Sequence, residues 1–190
     1  MKTLLHSLHS MHPMSEGLTD YLSKTLKEKS VDKRAFLFTA GKVADQIYFI
    51  RNGLLRGFYK KDDTEVSTWF MKEGEVCISV ESFFQQQPSN DFIQALEPAS
   101  VWYITYNELQ HIYKTYQEFN FISRVFMERY YRLSEERLYM LRMHSGRQRY
   151  DYLLEHYPDL VRRVPQKYLA SYLDLTEVAL SQIRSKKYMS

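Results

Sequence analysis

Between Arg34 and Thr105 the sequence consists of six short runs rich in β-branched and aromatic residues, with turn-forming residues between them. The runs are AFLF, QIYFI, LLRGFYK, VSTWFM, DFIQAL and SVWYIT. Short strands with a turn signal every eight to twelve residues or so are typical of an antiparallel sandwich or barrel. We therefore predict a jelly-roll-like antiparallel barrel. Within it, the Asn52-Gly53 pair predicts a hairpin turn, because both residues tolerate a positive φ.

Helical periodicity dominates on both sides of this region, so the predicted fold class is α+β. Leucines recur at helical spacing up to about residue 30, where Pro13 and Gly17 interrupt the pattern. Three helices are predicted after the barrel, over residues 107–116, 119–143 and 147–155. The segment DLVRRVP, which Pro158 and Pro165 frame, is predicted to be extended.

The long helix over residues 119–143 carries an apolar stripe that needs a partner. The stripe comprises Ile122, Phe126, Tyr130 and Leu133. At 1.5 Å per residue the helix is about 37 Å long, which is more than one small barrel can cover. We predict that the stripe pairs with the same stripe of a second copy and forms a homodimer. The alternative is that the helix lies across its own barrel.

The C-terminal stretch LASYLDLTEVALSQIRSKKYMS predicts a helix-turn-helix unit. Its inner face is formed by Leu169, Ala170, Leu173, Leu175, Leu180 and Ile183. Thr176 is a favourable N-cap for the second helix. Asp174 stands where a left-handed backbone is needed, and aspartate tolerates that conformation at modest cost. Any helical hairpin shares part of this pattern, so the alternative is a helix pair that docks a protein.

The outer face of the second helix is mixed in chemistry, and basic residues surround it. Glu177, Val178, Ser181 and Gln182 are predicted to read base edges, and Lys167, Arg184, Lys186 and Lys187 to hold phosphates. From residue 142 onward there are nine Lys or Arg and five Asp or Glu, which favours a polyanionic partner. The base-reading face has no arginine to grip guanine, so we expect a two-fold DNA site that leans toward A·T.

The order of barrel, long helix and helix-turn-helix resembles that of the Crp/Fnr regulators, the family of the cyclic-AMP receptor protein. The phrases IYFIRNGLLRGFY, FMKEGEV, ESFFQQQPSNDFIQALE and RYDYLLEHYPDLVRRVPQKYLASYLDLTEVALSQIR carry the resemblance over about residues 15–190. The last phrase is similar to a compact branch common in Bacteroidetes. The resemblance implies a cyclic-nucleotide-binding-like sensor domain over residues 1–118, a dimerisation helix over 119–143 and a DNA-binding domain over 144–190. It also implies a cytoplasmic homodimer on double-stranded DNA, with RNA polymerase as a further partner and no membrane association.

The family's nucleotide-binding cassette places a glutamate on the ribose and an arginine followed by serine or threonine on the cyclic phosphate. Here the arginine position falls on Ser89 and the next on Asn90, and residues 73–113 contain no Lys or Arg. Glu81, followed by Ser82, stands near the ribose-binding place. A buried phosphate needs a charge-assisted partner, so we predict that this pocket does not bind cyclic AMP. It binds another small molecule or none.

The remaining features exclude several functional classes. The single cysteine, Cys77, excludes an internal disulfide and a cysteine-ligated cluster. His6, His9 and His12 share a helical spacing that a metal site could use, but a surface helix is the simpler interpretation. No phosphate-binding loop or nucleophile motif is present, so no enzyme activity and no cofactor are predicted. No signal peptide and no transmembrane helix are predicted, because the sequence lacks an apolar run of the required length.

Overall fold

The fold is described here from a computed structural model, which covers residues 1–187 apart from the side chains of Lys2, Lys186 and Lys187. The helices are α1 (Lys2–Met11), α2 (Glu16–Thr25), α3 (Val80–Gln85), α4 (Tyr106–Thr115), α5 (Glu118–Met143), α6 (Gly146–His156), α7 (Pro158–Arg163), α8 (Gln166–Tyr172) and α9 (Glu177–Lys187). The strands are β1 (Lys27–Val31), β2 (Phe36–Phe38), β3 (Gln46–Asn52), β4 (Leu55–Lys61), β5 (Thr64–Met71), β6 (Val76–Cys77), β7 (Asp91–Ala95) and β8 (Ala99–Thr105).

The strands form two antiparallel sheets, which confirms the predicted fold class. One sheet has the order β1-β8-β3-β6 and the other the order β2-β7-β4-β5. Consecutive strands often lie in different sheets, as in a jelly roll. Strands β4 and β5 do form a hairpin, in which Lys61 pairs with Thr64 and Asp62 takes a φ of 54°.

The predicted hairpin turn at Asn52-Gly53 is wrong, because β3 and β4 are not paired with each other. The chain instead crosses from one sheet to the other at this point. Gly53 has a φ of 101°, and a Cβ atom there would lie 2.7 Å from the Cβ of Ala99. The glycine therefore permits both a left-handed backbone and a close approach between the crossing and the start of β8.

Several short elements differ from the sequence-based prediction. Strand β1 was expected to continue the N-terminal helices, but it is a mostly exposed edge strand that pairs with β8. Its sequence, KEKSV, carries little apolar signal that could reveal it. The segment predicted to be extended is helix α7, in which Pro158 occupies the first turn, where its missing N–H costs no hydrogen bond.

The buried residues form two cores. The larger one fills the barrel and includes Leu18 and Leu22 of α2 as well as Ile122 of α5. The second lies between α6, α7, α8 and α9, and it also includes Leu54, Phe70 and Leu96 from the barrel. The C-terminal helices are therefore packed against the outside of the barrel.

The inner side of α5 packs against the chain's own barrel. Ile122 has no exposed surface, and Phe126 packs on the barrel core. The hydroxyl of Tyr130 donates to the carbonyl of Val76 at 2.5 Å and accepts from its N–H at 3.1 Å. Leu133 faces a cleft under the C-terminal helices. The prediction that this stripe meets a second copy is therefore corrected: the alternative, a helix lying across its own barrel, is what the contacts show.

The side of α5 turned away from the barrel carries exposed apolar residues on two lines, with charged residues such as Arg124, Glu128 and Glu135 between them. The apolar residues are Phe121, Val125, Met127, Tyr131, Leu138, Tyr139 and Met143. Their exposed fractions run from 37% for Val125 to 70% for Tyr131. We call this set the outer face of α5. Exposed apolar residues that follow one line of a helix, as Met127, Tyr131 and Leu138 do, are typical of a contact with another molecule.

Candidate nucleic-acid interface and effector cavity

Helices α8 and α9 form a helix-turn-helix with the local geometry that the sequence predicts. Asp174 adopts a left-handed backbone with a φ of 53°. The hydroxyl of Thr176 accepts a hydrogen bond from the N–H of Ala179 at 3.1 Å and so caps α9. Leu169, Ala170 and Leu180 are buried between the two helices. The angle between α8 and α9 is therefore fixed by packing as well as by the turn.

The turn is anchored to α6 by a buried arginine that the sequence analysis missed. Arg149 donates from Nε to the carbonyl of Leu173 at 2.8 Å and from Nη2 to that of Asp174 at 3.2 Å. Its Nη1 donates to the carbonyl of His144 at 2.8 Å, at the end of α5. One side chain thus ties together the long helix, α6 and the turn. In the sequence RQRYDYLLEH, Arg149 falls on the same side of α6 as the apolar residues. This position could have indicated that its side chain is buried.

A glycine allows α6 to lie close to the same turn. A Cβ atom on Gly146 would lie 2.5 Å from Cδ2 of Leu175. Ser145 caps the helix by accepting from the N–H of Gln148 at 3.4 Å. The first turn of α6 therefore contacts the turn of the helix-turn-helix directly.

The four residues predicted to read bases lie together on the outer face of α9. Glu177, Val178, Ser181 and Gln182 are all exposed, and Val178 has 68% of its surface accessible. This face carries one acidic, one apolar and two uncharged polar side chains. Its chemistry suits contacts with base edges, which present donors, acceptors and methyl groups.

The residues predicted to bind phosphates differ in how exposed their side chains are. Lys167 is exposed, with Nζ 5.1 Å from the ring centre of Tyr168. Arg184 is half-buried: its guanidinium lies 5.6 Å from the ring centre of Tyr150, and Nη1 donates to Gln166 Oε1 at 3.3 Å. Arg184 therefore also supports the unit internally. The side chains of Lys186 and Lys187 lie outside the described residues.

The helix-turn-helix is held on the barrel by a polar contact between α8 and β5. The hydroxyl of Ser171 accepts from the N–H of Ser67 at 2.9 Å and donates to the carbonyl of Glu65 at 3.0 Å. Nearby, Arg56 of β4 is fully buried between the rings of Phe58 and Tyr168, 4.0 and 3.6 Å from their centres. The contact thus joins a strand of the barrel to the first helix of the unit.

Ion pairs hold α7 on the same side of the barrel. Arg163 donates to both carboxylate oxygens of Glu73 at 2.9 Å and to those of Glu97 at 2.7 and 3.1 Å. The hydrogen bonds from Arg163 hold the pKa of Glu73 at about 2, below its ordinary value of 4.5. Burial raises the pKa of Glu75, although Arg129 lies 3.5 Å away. The pKa values of these two neighbouring carboxyl groups are thus shifted in opposite directions.

A cavity of about 460 Å³ lies between the barrel and α5. Its walls come from β3, β4, β5, β6 and β7 on one side and from α3, α4 and α5 on the other. Most of the lining is apolar and aromatic, and Glu81 and Asp91 are its two charged residues. The volume is in the range of pockets that hold small molecules.

Of the four residues predicted to form an effector pocket, Glu81 lines this cavity. Ser82 is buried elsewhere: its hydroxyl accepts from the N–H of Ala44 at 2.8 Å and donates to the carbonyl of Gln87 at 2.6 Å. Ser89 is buried and donates to the carboxylate of Asp91. Asn90 is exposed at a turn. The predictions that these three residues line the pocket are therefore corrected. Both serines form hydrogen bonds within the loop before β7, and Asp91 lines the cavity instead.

The histidines at the N-terminus have structural contacts. Nδ1 of His9 accepts from the N–H of Met14 at 3.1 Å, and the ring of His12 stacks on Phe121 at 4.7 Å. In the described part of the chain, no group of three or more His, Cys, Asp or Glu residues could hold a metal ion. Nor does any helix of that part combine the length and apolar character needed to cross a membrane.

Comparison with known proteins gives one family match, which covers the barrel. Residues 28–116 match the family model of the cyclic nucleotide-binding domain. The match covers β1 through β8 and α4, so it includes most of the walls of the cavity. No curated protein sequence matches the chain significantly.

Solved structures share the fold of nearly the whole chain. CooA from Carboxydothermus hydrogenoformans, solved as a mutant, matches with a TM-score of 0.71 and 18% identity, over 94% of this chain and 88% of that one. FixK2 from Bradyrhizobium japonicum matches with a TM-score of 0.70 and 18% identity, over 87% and 85%. A protein from Eubacterium rectale assigned to the crp/fnr family of transcriptional regulators matches with a TM-score of 0.71 and 13% identity, over 90% and 82%. The resemblance seen in the sequence is thus confirmed at the level of the fold.

Proposed function

We propose that this chain, with its cyclic nucleotide-binding domain at residues 28–116 and the overall fold of Crp/Fnr regulators, is a homodimeric DNA-binding transcription regulator. In this proposal residues 1–118 sense a small molecule, residues 119–143 dimerise and residues 144–190 bind DNA. The observation that carries it is the exposed, chemically mixed face of α9 on a rigid helix-turn-helix. The role is regulatory, and no catalytic function is proposed.

The chemistry of α9 supports direct reading of bases. Gln182 can bond both polar groups of adenine, Val178 can contact a thymine methyl group, and Glu177 can accept from cytosine. No arginine among the described residues stands on this exposed face to grip guanine. The expected half-site therefore leans toward A·T. Lys167 is exposed beside the unit and supplies a contact to the phosphate backbone.

A dimer supports this role, since two-fold DNA sites require two recognition helices about one helical turn apart. The outer face of α5 is the surface we propose for dimerisation. Its side chains lie at spacings that place Met127, Tyr131 and Leu138 along one line of the helix. Paired with the same line of a second copy, they form an apolar seam.

The proposed sensor does not bind cyclic AMP. Its cavity has two carboxylates and no Lys, Arg or His among its lining residues in the described chain. A cyclic phosphate placed there would lose its water without gaining a charged partner. Isothermal titration is expected to detect no binding of cyclic AMP at micromolar concentration. A micromolar dissociation constant would mean that main-chain N–H groups hold the phosphate.

One observation favours a second function. Among the large apolar residues described outside α5, Val178 exposes the largest fraction of its surface, and an apolar contact suits a protein partner as well as a thymine methyl group. In that alternative, the terminal helices dock a protein instead of DNA. Salt separates the two functions, because DNA affinity falls steeply with salt as phosphate contacts release counterions.

The test is selection of bound sequences from a random DNA pool, with wild type, Gln182→Ala and Lys167→Ala. Gln182→Ala should relax the preference at one position, at a cost of about 1–3 kcal/mol. Lys167→Ala should weaken all sequences equally and flatten the salt dependence. Gln85→Ala, on an exposed turn of α3, is the matched control and should change neither. Failure of wild type to enrich any sequence at low salt would favour the protein-docking alternative.

A further inference from the structure

We propose that the cavity between the barrel and α5 binds an organic cation with an apolar body. This inference rests on the proposed sensing role of the barrel and gives its ligand a chemical class. Three features of the cavity carry it: its size, its apolar walls and the sign of its charge.

The size and walls of the cavity suit a compact apolar molecule. The volume of about 460 Å³ lies within the usual range for small-molecule pockets. Aromatic side chains contribute to several walls, among them Trp69 of β5, Phe84 of α3 and Tyr130 of α5. Rings of this kind bury apolar bodies well, and their faces also attract cations.

The charge of the cavity is negative. None of its 23 lining residues in the described chain is Lys, Arg or His, while Glu81 and Asp91 are both present. The carboxylate of Asp91 already accepts hydrogen bonds from the hydroxyls of Ser79 and Ser89. Glu81 is exposed and has no hydrogen bond or ion pair with any described residue, so its carboxylate is free to pair with a bound cation.

Tyr59 adds a polar group beside the two carboxylates. Burial and the negative charges of Asp91 and Glu81 raise the pKa of its phenol, so the hydroxyl stays protonated at neutral pH. A neutral phenol can donate a hydrogen bond and present its ring to a cation without adding repulsion. The same field disfavours anions, including nucleotides and carboxylates.

The mouth of the cavity lies beside the outer face of α5. Met127 and Tyr131 of α5 and Val80 of α3 all line the cavity and are exposed. In the proposed dimer a second copy of α5 stands next to this opening. A ligand bound in the cavity would therefore lie next to the proposed dimer seam and can alter its packing.

The test uses three probes that share a naphthyl body and differ in charge: 1-naphthylmethylamine, 1-naphthylmethanol and 1-naphthoic acid. Dissociation constants are measured by isothermal titration on the full chain at neutral pH. The protonated amine should bind at least about tenfold tighter than the alcohol, which corresponds to ~1.4 kcal/mol, and the acid should bind weakest. Glu81→Gln should bring the amine and the alcohol to similar affinities. Glu155→Gln, an exposed carboxylate on α6, is the matched control and should preserve the preference.

A second variant places the probes in the cavity. Ser123→Trp adds an indole to the cavity wall and should abolish binding of all three probes, while thermal unfolding reports whether the fold is kept. The inference is overturned if no probe binds, if the acid binds as tightly as the amine, or if Glu81→Gln or Ser123→Trp leaves the amine preference intact. A chain that selects DNA but shows no amine preference loses only this inference. A chain that prefers the amine but selects no DNA loses only the proposed function.

Discussion

The two apolar faces of α5 have opposite surroundings. The inner face, with Ile122 fully buried and Phe126 on the barrel core, is covered by the same chain. The outer face, with Tyr131 and Met143 exposed by 70% and 65%, is largely uncovered in the described chain, apart from contacts such as that of His12 with Phe121. The apolar residues on both faces are of similar types. The difference is that the inner face is fixed by a specific polar anchor, the double hydrogen bond between Tyr130 and Val76.

This contrast shows what periodicity can and cannot predict. A repeat of apolar residues indicates that a helix face will be covered, since exposing it to water is unfavourable. It does not indicate whether the same chain or another chain covers it. Here the barrel, which is adjacent to the helix in the sequence, covers one apolar face. The other apolar face remains exposed and is available to a partner.

The largest expected effect comes from the inner face. Ile122→Ala should lower the free energy of unfolding by about 2–5 kcal/mol, because it opens a cavity between α5 and the barrel. Val125→Ala, one turn along on the outer face, should change it by a few tenths of a kcal/mol or less in the monomer. Urea denaturation at low protein concentration measures both. Equal losses for the two variants would contradict the assignment of inner and outer faces.

The next effect separates association from folding. Met127→Glu and Tyr131→Glu place a charge in the proposed seam and should each give monomers, with thermal unfolding of the barrel little changed. Phe126→Glu should instead disturb the barrel itself. Light scattering gives the mass, and Lys114→Glu on the exposed side of α4 serves as control. Dimers that persist in both outer-face variants would place the interface elsewhere.

The sequence allowed much of the fold to be predicted, but less of the site. Strong alternation and helical repeats placed six strands, α4, α5, α6 and the helix-turn-helix within a few residues. Elements with weak apolar signals, such as β1 and α7, were missed. Strand β1 is defined by its pairing with β8, and α7 begins at a proline in its first turn. The exposed face of α9 followed directly from helical geometry. The cavity did not, because Ser89 and Asp91 differ by two positions in sequence and only the fold decides which of them faces inward.

A second attachment sharpens the contrast with α5. Whereas the inner face of α5 is held mainly by buried apolar groups, α7 combines the buried Leu160 with ion pairs from Arg163 to Glu73 and Glu97. The side chains of Glu73 and Arg163 are 37% and 26% exposed, so water and salt screen their attraction. Pairs of this exposure contribute about 0.2–1 kcal/mol each. The ion pairs of Arg163 should therefore contribute less than the buried apolar contacts, and they are the part of the α7 attachment that acid and salt weaken.

Acid provides the test of this smallest effect. The pKa of Glu73 is about 2 in the folded chain and near 4.5 ordinarily, so the stabilisation is complete above pH 4.5 and lost as pH falls toward 2. Arg163→Gln should thus be less stable than wild type at pH 7 by about 1 kcal/mol, with the gap closing between pH 4.5 and 2. Glu75, whose pKa burial raises, titrates in both proteins and cancels from the difference. Arg162→Gln, at the exposed neighbour, should show no such gap in urea denaturation at pH 7, 4.5 and 3. A gap that stays constant with pH would mean that Arg163 acts by packing against the barrel and not by pairing with Glu73.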